Sequence, residues 1–251
     1  MEEKWVIRRV GGDYEELGRR YGVSPVIARI MRNRGIMEDT EAELFLRGSE
    51  AALSDGKLLP DCIRLVELLS KAIDEGRHIR VIGDYDVDGV CATAIFFEAI
   101  KTAGGKADTR IPHRIRDGYG LNERIIREAA EDKVEVILTC DNGISAAGEI
   151  KLAHELGMQV LITDHHSVPR EGVPEAEAVV NPQRIDSECS FKELCGAAVA
   201  WKVAQALFEK RGIPEKKHPE FFELAALATV TDVMPLKGEN RILVREGLKK
   251  L

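Results

Sequence analysis

The 251-residue sequence predicts an α/β protein, a doubly wound, mainly parallel sheet preceded by a small helical N-terminal segment. Three observations carry that expectation. From about residue 79, short apolar runs alternate with amphipathic segments in a β-α-β rhythm. The apolar cores, such as "VEVIL" and "QVLI", suit strands buried on both faces. The first 75 residues show no strand alternation after "WVI" and carry helical patches instead.

Those patches are "YEELGRRYG", "SPVIARIMRNRG" and "DTEAELFLRG", each opening on Asp or Ser and closing near Gly, as helices do. They define an expected helical lead-in over residues 1–75, ahead of an α/β domain over residues 76–251. The arginines of "SPVIARIMRNRG" read as a solvated basic face and are given no DNA-reading role. Strands then follow in "IRVIG", "KADTRIP", "VEVILTC" and "MQVLIT", alternating with helices in "GVCATAIFFEAIKTAGG", "NERIIREAAEDK" and "AAGEIKLAHELG". "EAVVNPQ" reads as a further strand, and "CGAAVAWKVAQALFEKRG" and "HPEFFELAALATVTDV" as helices. The last segment, "NRILVREGLKKL", carries no loop or tail signal.

Composition excludes several classes. At 44% hydrophobic and 31% charged residues the chain can bury a core, so disorder is not expected. No apolar run approaches the ~18 residues a membrane span needs, and no signal-peptide core opens the chain, which places it in the cytoplasm without a membrane partner. The five cysteines are odd in number and form no C-x-x-C pair, against a disulfide framework or structural zinc. A net charge of -7 argues against non-specific nucleic-acid binding, unless the acids gather around cations that reverse the local sign.

In parallel α/β sheets ligands bind beyond the carboxyl ends of the strands, and three strand exits here carry charge. "VIG" runs into Asp84, Asp86 and Asp88, "VILTC" into Asp141 and Asn142, and "VLIT" into Asp164, His165 and His166. A further acid, Asp232, follows the apolar helix of "ATVTDVMP". Carboxylates with imidazole suit Mn²⁺ or Mg²⁺ rather than structural zinc, and Asp141, centrally placed, is the candidate to bridge two ions. Paired cations serve in-line phosphoryl displacement, so metal-assisted hydrolysis of a phosphate ester or anhydride is the expected chemistry. A single D-x-D is commonly an N-cap or turn, but three acidic exits on one sheet edge would raise one another's pKa without a cation. His113, Arg114 and Arg116 could contact substrate phosphates or be surface charge; Gly196 could open an anion site at a helix N-terminus or allow close packing. His78, His154 and His218 read as bystanders, and no Walker loop, dinucleotide fingerprint or nucleophilic triad occurs.

With "GDYDVDG", "TCDNGIS" and "TDHHSVP" in that order, followed by "NPQ" and "ATVTDVMPL", the chain resembles the DHH phosphoesterase superfamily. Within it, the chain resembles the RecJ-type single-stranded-DNA-specific exonucleases of bacteria over essentially its whole length, including "RNRGI" and "FLRG". The resemblance implies that Asp86, Asp88, Asp141, His165 and Asp232 ligate Mn²⁺ or Mg²⁺, with Asp84 completing one shell. It implies catalytic roles for Asp88, Asp141, His165 and His166, with His166 beside the scissile phosphate and Asp164 and Asn142 supporting from behind. It further implies 5′-to-3′ degradation of single-stranded DNA in repair and recombination, with a helicase and a single-strand-binding protein as partners. Such enzymes continue into a DHHA1 region and an OB-fold, which these 251 residues do not include; the expectation is therefore an N-terminal catalytic portion.

Two rivals stand beside it. One keeps the chemistry and changes the substrate: a nanoRNase-like or cyclic-dinucleotide phosphodiesterase, or a pyrophosphatase. Entry through "DYDVDG" instead of H-x-x-x-D-x-D favours the exonuclease. The other is a non-catalytic scaffold that has lost its metals, for which broken motifs are expected; here every acid and both histidines stand.

Overall fold

The computed structural model of the protein describes residues 11–118, 120–218 and 220–251; the "WVI" stretch and Tyr119 of the Gly-Tyr-Gly turn lie outside them. The chain divides into two compact units between Ala52 and Leu53.

Among the described residues the first unit holds three α-helices, α1 (Tyr14–Tyr21), α2 (Pro25–Asn33) and α3 (Asp39–Arg47). Asp13 and Ser24 cap α1 and α2 by accepting from the N–H groups of Glu16 and Ile27. Helix α3 differs from its expected opening, since Glu38 is the capping residue and Asp39 lies in the first turn. Leu17, Tyr21, Ala28, Met31 and Ala42 form this unit's own core.

The second unit begins earlier than the expected boundary at residue 75. Helix α4 (Cys62–Asp74) belongs to it, because Cys62, Leu65, Leu69 and Ala72 are buried in the core beneath the sheet. The sheet comprises β1 (His78–Ile82), β2 (Lys106–Arg110), β3 (Val136–Cys140), β4 (Gln159–Thr163) and β5 (Ala178–Val180), all parallel, in the order β2-β1-β3-β4-β5. Between them run α5 (Val87–Thr102), α6 (Glu123–Glu131) and α7 (Ala147–Glu155). After β5 come α8 (Gly196–Lys210), α9 (Phe222–Thr231) and α10 (Gly238–Gly247).

Alternation within each strand sorts side chains to two layers. Ile79, Val81, Val136, Leu138, Leu161, Ala178 and Val180 face the layer of α4, α5 and α8. Ile82, Ile137, Val160, Ile162 and Val179 face α6 and α7. Helices therefore cover both faces, the doubly wound arrangement, and β2 closes one edge with alternating charged residues that discourage further pairing. The chain leaves β1 for β2 on one side and returns to β3 on the other, which opens a crevice at the carboxyl ends of β1 and β3. No helix among the described residues is long and apolar enough to cross a membrane, and all five cysteines are buried free thiols.

Candidate metal centre

The acidic motif after β1 is folded tightly on itself. Asp86 caps α5 by accepting from the Gly89 N–H at 2.9 Å, which turns the chain so that Asp88 enters the first helical turn, buried. A Cβ at Gly89 would lie 2.5 Å from the Asp84 nitrogen, so only glycine lets the helix start this close to the strand exit. Asp84 is fully buried; one oxygen accepts from the Gly120 N–H at 3.4 Å and the other has no hydrogen-bond partner. Burial, and then the neighbouring Asp86 charge, push its carboxyl upward.

Asp141 leaves β3 in the left-handed region, at φ +62°, a conformation Asp tolerates at a cost. Val233, the residue after Asp232, shares it at φ +56°, where a β-branched side chain is an outlier. Two of the four left-handed non-glycine residues among the described ones thus flank one cluster. Asp141 is 1% exposed and neither carboxylate oxygen has a hydrogen-bond partner. Burial first, then the Asp88 and Asp86 charges, push it up to about 10. A carboxylate treated this way fits a place built for positive charge.

Asp88 is satisfied differently. Its two oxygens accept the N–H groups of Gly196 and Ala197, at 2.6 and 2.7 Å, at the N-terminus of α8. Gly196, expected to receive a substrate anion, therefore spends its N–H on a protein carboxylate. Its missing side chain is the close-packing alternative: a Cβ there would stand 2.6 Å from the Asp141 Cβ.

Behind the cluster, Asp164 follows β4 and holds the His165–His166 turn. One oxygen accepts from the His165 and His166 N–H groups and lies 2.8 Å from the His166 Nδ1; the other accepts from the Ile144 N–H. Burial raises the Asp164 carboxyl, yet the bonds and charge of His166, with the backbone donors, hold it below its usual range. The same bond raises the His166 imidazole, against burial, so it keeps its proton to higher pH. His165 Nε2 sits 3.1 Å from Asp141 Oδ1, 3.5 Å from Asp88 Oδ2 and 3.8 Å from Asp232 Oδ2. Asp232 caps the end of α9, and burial raises its carboxyl.

Three donor groups follow, each with its atoms within 4.8 Å of one another: Asp141, His165 and His166; Asp88, His165 and Asp232; Asp84, Asp86 and Asp141. Asp141 appears in two of them, as a bridging carboxylate would. Asn142 stands beside them and ties β1 to β3, its amide donating to the Ile82 and Cys140 carbonyls at 3.2 and 3.0 Å.

His113 stays outside the cluster: its Nδ1 accepts from its own loop, at Ile115 and Arg116. Arg114 reaches closer, its guanidinium 5.5 Å from the centroid of the Tyr85 ring within the first motif. Arg116 is exposed on the same loop. His78, His154 and His218 pair elsewhere, with Asp108, Glu177 and the Ile213 carbonyl. Sequence reasoning missed Asn181, fully buried after β5, whose amide donates to the His166 carbonyl at 2.9 Å and pins the histidine turn. Its signal was the polar "NPQ" directly after an apolar strand.

A profile for the DHH family, N-terminal domain, matches residues 78–229. The single-stranded-DNA-specific exonuclease RecJ of Dickeya dadantii is 38% identical over 236 residues, 90% of this chain and 40% of that protein. RecJ of Bacillus subtilis is 34% identical over 249 residues, 99% of this chain and 31% of that protein. Among solved structures, RecJ in complex with Mn²⁺ from Thermus thermophilus superposes with a TM-score of 0.75 at 32% identity, over 94% of this chain and 33% of that one. The chain thus spans well under half the length of these relatives. With the profile covering the sheet, the acidic strand exits and the helices behind them, the chain belongs to the DHH family and carries its N-terminal domain.

Proposed function

We propose that this chain is the catalytic core of a RecJ-type 5′-to-3′ exonuclease that hydrolyses phosphodiester bonds of single-stranded DNA in repair and recombination. The observation that carries the metal-dependent chemistry is the buried Asp141 carboxylate, both oxygens without hydrogen bonds, grouped with His165 and His166 on one side and with Asp84 and Asp86 on the other. The donor set is oxygen and imidazole, which fits Mn²⁺ or Mg²⁺. Asp84, Asp86, Asp88, Asp141, His165 and Asp232 would hold the two ions, Asp141 being shared by two of the donor groups. Such ions, when bound, neutralise phosphate charge and acidify a water for in-line attack.

The chain's own residues supply the rest. The α8 N-terminus fixes Asp88 through two N–H donors, so that carboxylate is oriented before anything binds. Asp164 sets the His166 ring by accepting from Nδ1 and favours its protonated form, a cation that would meet the charge a phosphodiester gains. Arg114, beside Tyr85, offers a second cation at the rim. The relatives named as single-stranded-DNA-specific exonucleases support the substrate class. Cytoplasmic placement and helicase or single-strand-binding partners belong to the same reading.

The test is hydrolysis of single-stranded DNA, short oligoribonucleotides and pyrophosphate in competition, with Mn²⁺ or Mg²⁺. Single-stranded DNA is expected to be preferred, and Asp88→Ala or Asp141→Ala to lower turnover by about 100-fold or more. Full activity in either variant would refute the metal assignment; preference for pyrophosphate or oligoribonucleotide would move the chain to another substrate class.

A further inference from the structure

A cleft of about 350 Å³ opens beside the candidate metal centre, lined by residues of the "TCDNGIS" and "TDHHSVP" motifs and by Glu149 of α7. Asp164 and His166 form the wall it shares with the centre. The remaining lining is Gly120, Leu121 and the run from Asn142 to Ala146, with Glu149 on α7 at the far side.

Its chemistry differs from that of the centre. Among the described residues that line it, His166 is the only cationic group, and Glu149 adds negative charge. Two of its backbone donors are engaged, the Ile144 N–H by Asp164 and the Ala146 N–H by the Gly143 carbonyl. The carboxylates of Asp164 and Glu149 in the lining disfavour a phosphate beyond His166. Leu121, Ile144 and Ala146 supply apolar surface instead. Asn142 is part of the wall, its amide nitrogen turned inward to the Ile82 and Cys140 carbonyls, and the exposed Ser145 adds a hydroxyl. A flat group with apolar faces and polar edges fits these features, at a volume suited to a small organic ligand.

We infer that this cleft is a nucleobase subsite: it receives the base of the nucleotide adjoining the scissile phosphodiester, while the sugar-phosphate backbone stays on the His166 and Arg114 side. The inference rests on the phosphodiesterase reading above and deepens it. Among the described residues small side chains and backbone dominate the lining, without a bidentate pair of the kind that reads a base edge, so the subsite tolerates any base. The Glu149 carboxylate opposes a slipped register in which a phosphate enters the cleft.

Calorimetry on the whole chain with Mn²⁺ tests this, comparing 2′-deoxyadenosine 5′-monophosphate with deoxyribose 5-phosphate, which lacks the base. The wild type should bind the nucleotide about 10-fold tighter or more. Ser145→Trp, at an exposed position on the cleft, should reduce that ratio to near one while leaving Mn²⁺ binding unchanged. Glu149→Lys should tighten deoxyribose 5-phosphate relative to the nucleotide, which provides a second reading if the tryptophan disturbs folding. Equal wild-type affinities, or ratios unmoved by both variants, would overturn the subsite even where Mn²⁺ binds. Failure of the wild type to bind Mn²⁺ would overturn the metal reading instead, and a base preference that persisted there and vanished in Ser145→Trp would still uphold the subsite.

Discussion

At the scale of single residues, the centre depends on two close approaches. Gly196 has no room for a side chain because Asp141 occupies it, and its N–H is committed to Asp88. One methyl group would therefore disturb two candidate ligands at once, a displaced carboxylate on one side and a lengthened hydrogen bond on the other. Gly196→Ala is expected to destabilise the chain by about 1–3 kcal/mol, the usual cost of overpacking, and to weaken Mn²⁺ binding by roughly 10-fold or more. Urea unfolding and calorimetric titration read the two effects separately. An alanine variant with wild-type Mn²⁺ affinity would mean that α8 does not position the acids.

At the scale of elements, the strands announce themselves and their mutual arrangement does not. Charged strand exits could be read because apolar runs end abruptly in Asp84, Asp141 and Asp164, and a carboxylate at such a place has few structural reasons to be there. The hold of α8 on Asp88 joins residues 88 and 196, far apart in sequence, and nothing local marks it. Likewise the residues of α4 fall within the expected lead-in of residues 1–75, and it is their apolar face under the sheet that assigns them to the second unit. Arg80 illustrates the same limit. A charge in the centre of β1 looks misplaced, yet it is only 6% exposed and pairs with Asp108 on β2 and Asp132 after α6, at 2.7 and 2.9 Å. Burial alone would raise the Asp108 carboxyl, but Arg80 and His78 bring it below its ordinary value. A depressed carboxyl stabilises the fold above its unfolded pKa, and that stabilisation is lost as pH falls through the folded one. Asp108→Asn should therefore cost about 0.5–1.5 kcal/mol near neutral pH, water at the partly exposed carboxylate screening the pair, with the difference from wild type shrinking below about pH 4. Urea midpoints at pH 7 and pH 3 would show it; a gap independent of pH would assign the loss to packing.

At the scale of the whole molecule, the two units have separate cores. Leu17, Tyr21, Ala28, Met31 and Ala42 close the first, and the sheet with its helices closes the second. A chain beginning at Leu53 is expected to unfold cooperatively and keep its near-ultraviolet circular dichroism. A broad, non-cooperative transition would show that the second unit needs the first. The net charge of -7 also finds a place at this scale, since Asp84, Asp86, Asp88, Asp141, Asp164 and Asp232 gather on one sheet edge. Cations there would reverse the sign that an incoming polyanion meets.

The grip of Asp88 on α8 has a consequence in time. Amides in the first turn of a helix have no intrahelical acceptor and ordinarily trade their hydrogens with solvent early. Those of Gly196 and Ala197 point at a carboxylate that is itself only 2% exposed. They should take up deuterium as slowly as the central strands, and only when Asp88 lets go. Mass spectrometry of peptides spanning residues 194–200 would then clock the opening of the centre itself; rapid labelling there would mean that Asp88 is not held in solution.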